Sequence, residues 1–161
     1  MWDTQRPGAN DRVRMVSATK VLETVDAGLS CGLGTPEPGR MCVEAAVCYA
    51  MGLPHGDNPT CVSPAVRALK IKLNDSANWS TNAQRAAGMR RLAIAQLGSA
   101  GVVDDVEFGR RCADIAVRWV VPTALRVAAK INPAHAEVLE AAAVKCEAEG
   151  TRGAARAADV Y

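Results

Sequence analysis

Residues 41–75 read MCVEAAVCYAMGLPHGDNPTCVSPAVRALKIKLND, and the reading of this stretch decides the fold. At about 100° per residue, the apolar side chains from Met41 to Met51 cover every direction, as in a helix buried on all sides. The pattern predicts a helix over 40–51, stopped at Gly52, which suits the left-handed residue that follows a helix C-terminus. Ser63 then reads as an N-cap and Pro64 as the first helical residue, where a missing N–H costs no hydrogen bond. Val66, Leu69 and Leu73 form the apolar stripe of that next helix, with Arg67 and Lys70 to one side. Between the two helices lie the Pro, Gly, Asp and Asn residues of a turn.

Helical signals continue in both directions. Residues 1–15 read as a flexible arm, and Ser17 as the cap of a helix, ATKVLETVDAGL, with Val21, Leu22 and Val25 inward. CGLGTPEPG breaks the chain through glycine and proline. Thr81 and Gln84 have capping-box spacing for NAQRAAGMRRLAIAQL, which stops at Gly98. The acids of DDVE suit the start of a long helix that Pro122 kinks or divides. Asn132-Pro133 opens a last helix ending near Gly150, and residues 150–161 read as a loose tail. No segment alternates with period two, and no hairpin turn or internal repeat occurs. The expectation is an all-α fold: one domain over 1–161, a bundle of five to seven helices.

Composition narrows the function classes. The chain has 161 residues, 49% hydrophobic and 22% charged, as expected of a globular domain. Its net charge of +2 is too small to argue for nucleic acid or a membrane surface. No run of about 18 apolar residues spans a bilayer, and the N-terminal stretch has no apolar signal core, so a cytoplasmic protein is expected. The six cysteines are Cys31, Cys42, Cys48, Cys61, Cys112 and Cys146. They contain no C-x-x-C pair, and reduced thiols with no metal or cofactor are expected.

One carboxylate stands out. Glu44 is the only acid on the buried helix, and an ionised carboxylate buried there is costly unless paired. Burial raises its pKa, which suits a general acid or base; an ion pair with Arg67, Lys70 or Arg90 is the competing structural reading. His55 and Asp57 follow in the loop, where His55 can exchange a proton near neutrality and Asp57 can orient it. The same residues also make an ordinary turn. Gly52 ends the helix and the loop is short, so Asp57 is expected to fold back toward Glu44 around one cavity. Cys61, Arg67, Asn74 and Asp75 are the candidate binding residues beside them. Cys42, in the first helical turn, is a candidate nucleophile if its thiolate gains from the helix N-terminus, although an inert thiol is the simpler reading.

The block C-x-E-A…G-x-P-x-x-D-x-P-x-C…LND resembles a family of small uncharacterised bacterial and phage-associated proteins. Members similar to this chain carry Trp-Ser-Asp in place of His55-Gly56-Asp57, so the resemblance shifts weight from His55 to Glu44, Asp57, Cys61, Asn74 and Asp75. Two functions follow from these readings. One is a small acid/base hydrolase acting on a sugar or ester, with Glu44, Asp57 and His55 catalytic. The other is a non-enzymatic, self-associating helical protein, phage-associated, in which the Glu44 block is a folding element. Pocket geometry discriminates them: a water-reachable cavity shared by Glu44 and Asp57 favours the first, a sealed ion pair with an apolar patch outside the second.

Overall fold

The computed structural model describes residues 9–156, the side chains of 9–17 excepted. The fold is all-α; among the described residues there is no strand, only an isolated bridge between Gly34 and Met41. The helices are α1 (Ala9–Asp26), α2 (Val43–Ala50), α3 (Pro64–Asn74), α4 (Asn82–Ala95), α5 (Asp105–Ile115), α6 (Val121–Ile131), α7 (Ala136–Glu149) and α8 (Arg152–Arg156). A π-helical turn, Ala116–Val120, joins α5 to α6, and a 3-10 turn, Pro133–His135, precedes α7. The contacts gather into two compact units, residues 1–105 and 106–161.

In the first unit α2 is the centre. Val43, Ala45, Ala46, Val47 and Cys48 are buried, as the all-round apolar pattern requires. Val21 and Val25 of α1 and Ala86, Met89 and Ala93 of α4 close over them. The alanines let the helices pack closely at little cost in side-chain entropy. Two boundaries differ from the sequence reading. Helix α1 is already formed at Ala9, the first described residue, so Ser17 lies inside it rather than capping it, and 9–15 are helical rather than an arm; residues 1–8 lie outside the described residues. Cys42 is the N-cap of α2 rather than part of its first turn.

Capping fixes α3 where the sequence placed it. Ser63 Oγ accepts from the Val66 N–H at 3.3 Å, and Pro64 opens the helix. Ser63 Oγ also donates to the Asp105 carboxylate, which in turn accepts from the Ala65 N–H at 3.3 Å. An acid here faces the positive end of the helix. Ser63→Ala is therefore expected to lower stability by about 1 kcal/mol, read by urea denaturation. On α4, Thr81 accepts from the Gln84 N–H at 3.1 Å; the Gln84 side chain reaches back to Ser80 N–H rather than to Thr81.

The second unit is a helical hairpin of α6 and α7, with the π-helical turn and α8 packed on it. Pro122 has no N–H for the carbonyl four residues back, and the helix divides just before it. Val121 N–H instead donates to the Ala116 carbonyl, five residues back. Arg118 then ties the ends together. It pairs with Asp114 at 2.8 Å, and its guanidinium donates to the carbonyls of Glu147, Ala148 and Glu149 at the C-terminus of α7. Gly150, at φ 63°, ends α7 directly beneath that guanidinium, where a Cβ would collide with it. Thr151 caps α8 by accepting from the Ala154 N–H. The end of the expected tail, 157–161, lies outside the described residues.

Candidate functional site

Glu44 sits in the first turn of α2 with no exposed surface, and Lys70 of α3 is 2% exposed. Lys70 Nζ lies 3.1 Å from Glu44 Oε1, so the two form an ion pair sealed from solvent. Burial pushes the Glu44 carboxyl above its ordinary value, opposed by the charges of Lys70 and Arg67 and by the Gln96 amide. Burial likewise pulls the Lys70 amine down, opposed by Glu44. Desolvation thus outweighs attraction on both partners. The contact is an ion pair by distance, without the alignment of a directed hydrogen bond, and the buried Gln96 amide has no such partner among the described residues. Of the three cations considered for Glu44, Lys70 is the partner. Arg90 instead pairs at the surface with Asp26 at 2.7 Å, and Arg67 with Asp57 at 3.5 Å.

The face that α3 turns inward is rotated by about a quarter-turn from the one expected. Lys70 and Asn74, four residues apart, are its buried side chains, while Leu69 and Leu73 are partly exposed. The physical reason is that polar groups on the opposing backbone and on Glu44 need partners, and only the 70/74 face of α3 supplies them. Asn74 Oδ1 accepts from the Val43 N–H at 3.2 Å, an otherwise unpaired donor at the start of α2. Its Nδ2 donates to the Ser30 carbonyl and to Asp75 Oδ1, at 2.9 and 2.8 Å. Asp75 Oδ1 also accepts from the Gly32 N–H at 2.8 Å. The pair Asn74-Asp75 therefore clamps the Ser30–Gly32 backbone and the α2 N-terminus onto the end of α3.

Arg85 of α4 extends the clamp. Its guanidinium, almost fully buried, donates to the carbonyls of Asn74 and Leu29 and to Asn82 Oδ1. Neither Arg85 nor Gln96 stood out in the sequence. Arg85 looks like any helical arginine, and its partners are carbonyls that only the fold brings near. Gly34 serves the same loop: at φ 71° it lies so close to Arg40 that a Cβ would meet its carbonyl.

A cleft of about 20 Å³, room for a single water-sized molecule, opens beside the clamp, lined by Asp57, Asn74, Asp75 and Cys42 among others. Three of the expected site residues thus come together. Glu44 is not in the cleft, so the expected convergence of Glu44 and Asp57 on one cavity does not occur. Arg67 stands between the two readings: it donates to both the Asp57 carboxylate and the Asp57 carbonyl, and its charge also reaches Glu44. His55 is turned away, its Nε2 donating to the Gly34 carbonyl at 3.1 Å. Cys61 donates its S–H to Met51 Sδ.

The thiols near Glu44 are poor nucleophiles. Cys42 Sγ accepts from the Ala45 N–H at 3.4 Å, but burial pushes its pKa up more than the helix N–H groups pull it down. Cys48 is pushed up to about 11, by burial first and by the Glu44 charge second. Among the described residues, no three His, Cys, Asp or Glu side chains gather as metal ligands, and no helix is long and apolar enough to cross a membrane. In comparisons with protein-family models, curated proteins and solved structures, nothing matches this chain.

Proposed function

We propose that the protein is a non-enzymatic interaction protein that associates with copies of itself through its second unit. The observation that carries this reading is an exposed apolar row on that unit. Ile115, Trp119, Val120, Val127 and Ile131 are all exposed, Trp119 at 71% and Ile131 at 78%. The π-helical turn aligns them, because it advances less per residue than an α turn and swings Val120 and the α6 residues back toward the Ile115–Trp119 side. Exposed apolar side chains on one side of a helix, a tryptophan among them, are the kind of surface that marks an interface. Glu44, Asp57, Arg67, Lys70, Asn74 and Asp75, meanwhile, are engaged in pairing and clamping.

Light scattering across a concentration series tests this. The wild type is expected to run as a dimer or larger at tens of micromolar, and Trp119→Ser/Ile131→Ser as a monomer with unchanged helicity. A wild type that stays monomeric throughout sinks the proposal.

A second reading, a small acid/base hydrolase acting on a sugar or ester, draws on the raised Glu44 carboxyl. It requires a substrate to reach Glu44. Any hydrolysis of chromogenic glycosides or esters that falls by about 10²-fold in Glu44→Gln supports it; its absence from both proteins removes it.

A further inference from the structure

A quarter-turn around α6 from the apolar row lies a separate groove. Val121, Ala124, Leu125 and Ala128 of α6 form one wall, Ala155 with Arg152 and Arg156 of α8 the other, around about 450 Å³. The α6 wall, which forms the apolar floor, is aliphatic, and Ala124 and Ala128 let another backbone approach closely there. The rim is cationic. Arg152 and Arg156 are four apart on one face of α8, and both are exposed.

The other arginines of this unit are all engaged. Arg110 and Arg111 pair with Glu107, Arg118 with Asp114, and Arg126 with Glu140 and Glu147. Among the described residues, Arg152 and Arg156 alone of the unit's arginines have no carboxylate partner. A second copy has little to offer them. Its acids Glu107, Asp114, Glu140, Glu147 and Glu149 are already paired within the chain, as are Asp26, Glu44 and Asp57. The exposed Glu23 and Glu137, which have no ion pair among the described residues, lie on different helices and so supply no i, i+4 pair of carboxylates.

We propose that this groove docks an amphipathic helix of a different protein, one that lays an apolar stripe on the α6 floor and sets carboxylates at i, i+4 against Arg152 and Arg156. Helix-in-groove recognition uses this combination: apolar anchors one turn apart give affinity, and flanking charges set orientation and partner choice. The inference rests on reading the chain as an interaction protein, but it concerns a different surface from the self-association row.

The probe is a labelled synthetic helix with a leucine stripe and a Glu pair at i, i+4, compared with versions carrying Gln or Lys at the same two places. Binding is read by fluorescence anisotropy. With the wild type, the Glu peptide is expected to bind about tenfold more tightly than the Gln peptide, the scale of two exposed ion pairs. With Arg152→Glu/Arg156→Glu, the order is expected to reverse in favour of the Lys peptide, at unchanged helical ellipticity. Equal binding of Glu and Gln peptides, or no binding of any of the three, overturns the groove inference. Neither result bears on the oligomeric state, which tests the self-association reading by itself. Loss of self-association in the charge-reversed variant would mean that the groove belongs to a second copy, and would also overturn the inference.

Discussion

Lys70→Met is expected to cost about 3–5 kcal/mol at neutral pH, because it leaves Glu44 buried without its counter-charge. The cost should depend on pH in a definite direction. A folded Glu44 pKa raised above the ordinary 4.5 means that the folded state holds the proton more tightly than the unfolded chain. Its contribution is therefore fully present below 4.5 and lost as pH rises through the folded value. Lys70 works in the opposite sense in the wild type: its pKa is depressed from 10.5, so its contribution is present above that value and lost as pH falls. With Lys70 gone only the first effect remains, and the pull on Glu44 from Lys70 is removed as well. The stability gap between variant and wild type should widen as pH rises above 4.5, by up to about 1.4 kcal/mol per unit. Urea denaturation at several pH values reads it. A gap that stays constant would mean that Glu44 does not titrate in the folded interior.

Asn74→Leu is expected to cost about 3 kcal/mol. Leucine has a similar size, so little cavity is left, but the Val43 N–H and the Ser30 carbonyl both lose their partner in a buried place. Each orphaned group costs about 1–3 kcal/mol. The Val43 amide should also exchange its hydrogen much faster, since the start of α2 is no longer held. Asp75→Ala removes bonds to Gly32 and Asn74 at an exposed position and should cost much less. Equal losses in the two variants would show that the clamp is not where the stability lies.

Much of the fold was legible because its signals are local. The Ser63-Pro64 start of α3, the Thr81 cap, the division at Pro122 and the glycine end of α7 each depend on backbone chemistry within a few residues. The helix over 9–15 was not, because Ser17 is a cap residue by type and nothing local shows that the helix runs through it. The sequence marked polar residues in an apolar block but not which of them pair with one another. Asp57, Asn74 and Asp75 line one small cleft, while Glu44 is sealed against Lys70. What sequence could not show was which side of α3 faces inward. Periodicity favoured the leucines, but a buried carboxylate and an unpaired helix N-terminus drew Lys70 and Asn74 inside instead. Arg85 and Gln96 carried no signal, since their partners come from other elements brought near only by folding.

Glu44 and Lys70 act as one unit of the core. A double-mutant cycle with Glu44→Leu, Lys70→Met and both together measures this most directly. Each single variant is expected to lose about 3–5 kcal/mol, while the double variant, with no charge left to bury, is more stable than either. Losses that simply add would show two residues acting independently, and would contradict this.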